Sequence, residues 1–167
     1  MKVDFIEDGH GSAVLLIHST VAGNKQWRKL IEYLSPHYQV IAPNLFGYGS
    51  SPKWSKKRDQ TLSDHVDFLK GFFEQNESIS IVGHSFGGSV AMMAAKEYPE
   101  KIEKLVLIEP NPFYLLKNHS DPGSYQEVLN IRDIIKANAF KETWGQAAKQ
   151  FADYWNGSGA WKKMDEL

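Results

Sequence analysis

The chain has 167 residues, 42% of them hydrophobic, which is enough to bury one sizeable core. Its formal net charge of -1 gives no electrostatic case for binding nucleic acid or an acidic membrane surface. It contains no cysteine, so disulfides and thiolate metal sites are excluded. The N-terminal residues MKVDFIED lack the apolar run of a signal peptide, and no segment is long and apolar enough to span a bilayer. We therefore expect a soluble, cytoplasmic protein.

Short apolar runs alternate with amphipathic segments over the first two thirds of the chain. A strand is predicted at residues 3–6, and a more buried one at residues 13–17. A helix then begins near Asn24 and ends at Ser35. Residues 39–42 form the third predicted strand, and a loop rich in glycine, serine and proline follows it.

The alternation continues as far as Pro110. Thr61 or Ser63 begins a helix whose apolar residues recur at helical spacing. Apolar strands are predicted at residues 79–82 and 105–108, with a second helix between them. Repeated strand–helix–strand units predict an α/β fold, with a mostly parallel sheet and helices on both faces.

The stretch around Ser85 organises this pattern. A buried strand leads into Gly83-His84-Ser85-Phe86-Gly87, and a helix rich in alanine and methionine follows. A serine in G-x-S-x-G between a strand and a helix is typical of a nucleophile elbow. The glycines allow a tight turn that exposes the serine oxygen. The alternative is a serine in an ordinary strand-to-helix turn.

The last 50 residues have a different character. Two amphipathic helices and no strand are predicted after Asn118, so we divide the chain into a core over 1–117 and a helical segment over 118–167. The aromatic residues of this segment either pack within it or cover an apolar pocket; they are Trp144, Tyr154, Trp155 and Trp161.

Several motifs together resemble the α/β-hydrolase superfamily, in that family's order and over essentially the whole chain. They are VLLIH at 14–18, APNLFGYGSS at 42–51, GHSFGG at 83–88 and YPEKI at 98–102, with DYWNG at 153–157 similar to part of a helical cap. The chain departs from the family pattern at two positions, because His18 is followed by Ser19 rather than glycine and Asn44 replaces an aspartate. The resemblance implies an α/β-hydrolase core that lacks its last strands, with a partial cap.

The resemblance also implies roles for individual residues. Ser85 would be the nucleophile, and the backbone N–H of Phe86 would be one oxyanion donor. The second donor would be the N–H of Thr20 or, less favoured, of Ser19. His18 and His84 are interpreted as structural residues of the pocket and the elbow.

A general base is harder to find. His119 is the only histidine after Ser85, and it is either a surface residue or the base. Surface positions are also expected for His10, His37 and His65, since no pairing of them has metal-ligand spacing.

Glu109 follows the strand after the elbow strand, where some family members place their acid. It is either the catalytic acid or a residue that lines the pocket. The simplest account of the missing base and acid is that the chain is the N-terminal portion of a longer hydrolase and ends within the cap. The apolar strand Leu105–Ile108 would then be a sheet edge that a homo-oligomer could cover.

Two main functions remain open at this point. One is a serine hydrolase that acts on an ester or related acyl bond of a small molecule, without cofactor or metal. The other is a non-catalytic binding or interaction module on the same scaffold. C–C bond hydrolysis or haloperoxidase chemistry on this fold is a third possibility, because a fold alone does not specify a reaction.

Overall fold

A computed structural model describes residues 2–20, 22–55, 57–141 and 143–164 of the chain. These residues contain five strands and six α-helices. The strands are β1 (Phe5–Asp8), β2 (Ala13–Ile17), β3 (Gln39–Pro43), β4 (Ile79–His84) and β5 (Ile102–Ile108). The helices are α1 (Arg28–Leu34), α2 (Leu62–Gln75), α3 (Phe86–Glu97), α4 (Pro122–Phe140), α5 (Trp144–Asn156) and α6 (Ala160–Met164). Single 3-10 segments cover Asn24–Trp27 and Phe113–Asn118.

The five strands form one sheet in the order β1-β3-β2-β4-β5. β2, β3, β4 and β5 are parallel, and β1 is antiparallel to β3. The predicted mostly parallel sheet is therefore confirmed. Strand β2 is central and buried along its whole length, as its unbroken apolar sequence predicts.

Apolar side chains fill the space on both faces of the sheet. On one face, Leu15 and Ile81 belong to a cluster with side chains of α2 and α3, such as Phe73 and Val90. On the other face, the alternate side chains of β2 and β3 pack with Trp27 and Ile31. Alternation of side chains across a strand is what places successive residues in different clusters.

Helix α2 begins directly after Thr61, one of the two residues predicted to start it. Thr61 is the N-cap, and it forms a capping box with Asp64 in which each side chain accepts the other residue's backbone N–H. The Arg58 guanidinium donates to the same carboxylate and holds the pKa of Asp64 well below its ordinary value. The start of α2 is therefore fixed by three residues close in sequence.

Three local predictions were wrong. β1 begins at Phe5, so it lies about two residues further along than expected. Asn24 does not cap a helix; its side chain is buried and donates to the carbonyl of Ala42. His65 is not at the surface, because α2 is buried on a face wide enough to include it, and only 4% of the residue is exposed.

The chain divides into two compact units, Met1–Asn111 and Pro112–Leu167. Within the second unit, α4 packs against α5 and against the 3-10 segment. Trp155 stacks on Phe113 and meets the Tyr154 ring edge to face. Among the residues described, no helix has the length and apolarity needed to cross a membrane.

Candidate active site

Ser85 occupies the sharp turn between β4 and α3. Its φ of 53° and ψ of -116° lie in a region that L-residues rarely adopt. The neighbouring strand holds this turn, because the Ser85 N–H donates to the Ile108 carbonyl at 2.9 Å. Such strain is typical of functional turns, where the surrounding structure compensates for its cost.

The glycines of the turn are required by close packing. A Cβ at Gly87 would lie 2.2 Å from the Ile17 carbonyl oxygen and 2.5 Å from that of His18. A Cβ at Gly83 would lie 2.5 Å from the Gly87 carbonyl oxygen. The first turn of α3 therefore lies directly against the end of β2, and the loop after β2 lies beside the elbow.

The predicted oxyanion donors differ in availability. Phe86 is the first residue of α3, so its N–H has no partner within the helix. Within the described part of the chain, no hydrogen bond engages the N–H of Thr20. The N–H of Ser19, in contrast, donates to Gln26 Oε1 at 3.1 Å. Of the two candidates in the loop, Thr20 is therefore the one whose N–H remains available.

Gln26 joins this loop to the elbow. Its Oε1 accepts from the Ser19 hydroxyl at 2.7 Å as well as from the Ser19 N–H, and its Nε2 lies 3.1 Å from His84 Nδ1. The sequence does not single out Gln26, because nothing in its spacing distinguishes it from an ordinary polar residue next to a buried tryptophan.

His18 is fully buried, and both of its ring nitrogens are engaged. Nδ1 lies 2.7 Å from the Ser19 carbonyl oxygen, and Nε2 accepts the Leu45 N–H at 3.1 Å. A backbone N–H can only donate, so the ring proton is on Nδ1 and the imidazole is neutral. Burial lowers its pKa. The geometry agrees with the structural role expected for His18 and leaves no free nitrogen for proton transfer.

His65 packs behind the elbow. Its ring meets Phe86 edge to face, with 5.0 Å between centroids, and it also contacts Phe46. Nδ1 is buried, and none of the described residues forms a hydrogen bond with it. Burial lowers the pKa of His65 to about 4, although neighbouring Asp64 opposes the shift. His65 is therefore neutral near pH 7.

Asn44, which departs from the family pattern, holds the loop after β3. Its Oδ1 accepts the Asn24 N–H at 2.8 Å, and its Nδ2 donates to Asp4 Oδ2 at 2.9 Å. The same carboxylate oxygen accepts the Ser50 N–H at 2.9 Å, and these bonds lower the pKa of Asp4. The negative charge near this position is therefore supplied by Asp4.

Glu109 and His119, the two candidates for acid and base, lie in different units. Glu109 directly follows Ile108, which pairs with His84, so Glu109 and Ser85 follow paired strand ends. Glu109 has a φ of 45° and is exposed. His119 is an exposed residue of the second unit, and its Nδ1 accepts the Asp121 N–H at 3.2 Å.

The first unit thus brings together Ser85, Phe86, Glu109 and the loop from His18 to Thr20 at the carboxyl end of the parallel strands. In α/β sheets, ligands bind at this end. Among the residues described, no three acidic or histidine side chains cluster closely enough to hold a metal ion.

Comparison with known proteins agrees with this architecture. A model of the family described as alpha/beta hydrolase fold matches residues 12–158. The chain is 31% identical over 118 residues to a cis-3-alkyl-4-alkyloxetan-2-one decarboxylase of Shewanella oneidensis, covering 68% of this chain and 37% of the relative. It is 29% identical over 154 residues to the lipase LipV of Mycobacterium tuberculosis, covering 91% of this chain and 52% of the relative.

A solved structure, a thermophilic esterase from Thermogutta terrifontis, superposes with a TM-score of 0.67 at 26% identity, over 81% of this chain and 47% of the esterase. The chain therefore spans about a third to a half of the length of these relatives.

Proposed function

Because this chain belongs to the alpha/beta hydrolase family, we propose that it is a serine hydrolase that cleaves an ester or related acyl bond of a small molecule. The observation that carries the proposal is the strained Ser85 at the N-terminus of α3. The loop that contains Thr20 is linked to the elbow through Gln26, and no hydrogen bond within the described residues engages the Thr20 N–H. A nucleophile next to backbone donors is the arrangement that acyl transfer requires.

The proposed reaction has two steps. Ser85 Oγ attacks the carbonyl carbon, and the negative oxygen of the tetrahedral intermediate accepts hydrogen bonds from the N–H groups of Phe86 and Thr20. The bond to the leaving alcohol breaks, the alcohol takes up the proton lost from Ser85, and an acyl-enzyme remains. Water then attacks the acyl-enzyme, which releases the carboxylic acid and restores the Ser85 hydroxyl.

The proton of Ser85 needs an acceptor, and the buried histidines His18 and His65 and the half-buried His84 are poor candidates. Both nitrogens of His18 are engaged, and His65 is a weak base with a pKa of about 4. Nδ1 of His84 is occupied by Gln26. His119 is the remaining candidate for a base within this sequence, and Glu109 the corresponding candidate for the acid.

The relatives favour ester chemistry without deciding it. A lipase and an esterase are among the proteins that this chain resembles, and a decarboxylase is as well. Since the chain covers only part of each, the activity proposed here applies to the protein encoded by the complete reading frame.

An activated-serine probe tests the proposal. A fluorophosphonate should label the protein encoded by the complete reading frame at Ser85, and Ser85→Ala should abolish labelling. The matched control is Ser89→Ala, one turn further along α3, whose hydroxyl donates to Asn111. An unlabelled wild-type protein, or labelling that persists in Ser85→Ala, would refute the proposed nucleophile.

The source of the base is tested separately. Loss of a catalytic base costs on the order of 10⁶ in rate, so the 167-residue chain alone should hydrolyse p-nitrophenyl esters only at background rates. Robust turnover by this chain that His119→Ala abolishes would show instead that His119 is the base. A chain that binds a small molecule tightly, with Ser85→Ala fully functional, would favour the binding module.

A further inference from the structure

We propose that Gln26 is a positioning residue that locks the oxyanion loop to the nucleophile elbow. This inference rests on the proposed function, because it concerns the reactivity of Ser85. Gln26 lies in the 3-10 turn after the loop, between Ser19 on one side and His84 on the other. We infer that Gln26 acts on Ser85 through these two neighbours and not by direct contact with the substrate.

The hydrogen bonds fix the orientation of the Gln26 amide. Oε1 must face Ser19, because the Ser19 N–H can only donate to an oxygen acceptor. Nε2 therefore faces His84 and donates a proton to its Nδ1 at 3.1 Å. His84 must then carry its own proton on Nε2. A single amide thereby determines the tautomer of the residue that directly precedes Ser85.

The same contacts determine which loop N–H is free. Gln26 Oε1 takes up both the N–H and the hydroxyl of Ser19, so neither group competes for a substrate oxygen. The Ser19 carbonyl is held by the buried ring of His18. Because the peptide groups before Thr20 are held in this way, we expect its N–H to keep one orientation.

The consequence for catalysis follows from the geometry of an oxyanion hole. Donors are effective only when they are already aimed at the position that the oxyanion will occupy. Loss of a donor costs about 10²–10³ in rate, and a loop freed from its support should lose part of that factor. Gln26 should therefore affect the rate of attack by Ser85 more than the stability of the fold.

A spectroscopic experiment tests the clamp itself, independently of catalysis. Ring ¹⁵N shifts of His84 should report the Nε2–H tautomer in the 167-residue wild-type chain. Gln26→Glu keeps an acceptor for Ser19 but removes the donor to His84, so His84 should move its proton to Nδ1. An unchanged His84 spectrum in Gln26→Glu would overturn the clamp.

A kinetic experiment tests its effect on Ser85. In the protein encoded by the complete reading frame, Gln26→Met should slow fluorophosphonate labelling of Ser85 by about 10–100-fold, with the folded state retained. The matched control is Gln39→Met at the opposite, amino end of β3, where the amide donates to exposed Glu7. This control should label at the wild-type rate.

The outcomes separate the two proposals. If the wild-type protein is labelled and Gln26→Met reacts equally fast, the positioning role is wrong and the serine hydrolase stands. If the wild-type protein is not labelled, the serine hydrolase is wrong and the positioning role falls with it, while the His84 spectrum still reports whether the clamp exists.

Discussion

At the scale of single residues, Asn44 stands where the family pattern has an aspartate, and its side chain depends on Asp4. The two side chains are joined by a 2.9 Å hydrogen bond in which Asn44 donates, and Asn44 is buried. Asn44→Asp would place a second carboxylate against the first. We expect this variant to lose about 2–3 kcal/mol of unfolding free energy at pH 7, measured by urea denaturation.

A reciprocal variant provides the control for this pair. In Asp4→Asn combined with Asn44→Asp, the amide and the carboxylate exchange places, and the donor–acceptor pair is restored. In the wild type a single oxygen, Asp4 Oδ2, accepts from both Asn44 and Ser50, so an amide nitrogen turned towards residue 44 cannot accept the Ser50 N–H. The double variant should therefore recover only part of the lost stability. A double variant as unstable as Asn44→Asp would refute the coupling.

His65 makes stability depend on pH. Its pKa is about 4 in the folded state against an ordinary 6.5, so between these values the unfolded chain binds a proton that the folded chain does not. The contribution of neutral His65 to the unfolding free energy should be fully present above pH 6.5 and should be lost as the pH falls towards 4. The contribution of His65 should amount to a loss on the order of 2 kcal/mol between pH 7 and pH 5.

Replacement of the ring isolates this effect. His65→Leu fills a similar volume and removes the unpaired Nδ1, so its unfolding free energy should vary less over the same pH range than that of the wild type. The charged or titratable neighbours identified for this ring, Asp64 and His18, are unchanged in the variant. His37→Leu, at an exposed position, controls for the loss of a histidine. Equal pH dependence in His65→Leu and wild type would contradict the assignment.

At the scale of elements, the contact between α3 and β2 limits what the elbow tolerates. Gly87→Ala would put a methyl group 2.2 Å from the Ile17 carbonyl oxygen, so α3 would have to move away from β2. Gly71, inside α2, has open space around the same position. We expect Gly71→Ala to raise stability by about 0.5–1 kcal/mol and Gly87→Ala to lower it by several kcal/mol, as thermal unfolding would show.

This pair of variants also separates helix propensity from packing. Both replace glycine by alanine in a helix, so propensity alone predicts a gain in each. A gain for Gly87→Ala would mean that α3 does not pack against β2 as described. Opposite signs for the two variants would show that packing decides at the elbow.

The elements predicted best from sequence were those with one dominant signal. The unbroken apolar run of β2 and the G-x-S-x-G turn before α3 were placed correctly, because buried parallel strands and tight turns demand those residues. Asn24 was misassigned, because a cap and a buried amide require the same residue type. Gln26 and His65 were missed, since their importance comes from partners distant in sequence, such as His84 and Phe86.

At the scale of the whole molecule, the sheet has one apolar edge. β5 is the last strand in the sheet order, and four consecutive residues, Leu105, Val106, Leu107 and Ile108, are 36–50% exposed. Since side chains alternate along a strand, apolar groups are exposed on both faces of this edge. Unpaired backbone groups flanked by such side chains are a template for association with another strand.

We therefore expect the 167-residue chain to self-associate through β5. Two copies related by a two-fold axis would pair this strand antiparallel to itself, which satisfies the backbone groups of both copies. Sedimentation velocity should show a concentration-dependent dimer.

Val106→Lys, at the most exposed of the four positions, should shift the chain to monomer because edge lysines oppose strand pairing. Phe5→Lys on β1, at the opposite edge of the sheet, is the matched control and should leave the dimer intact. A wild-type chain that stays monomeric at all concentrations would exclude the association. Equal effects of the two substitutions would show that it does not occur through β5.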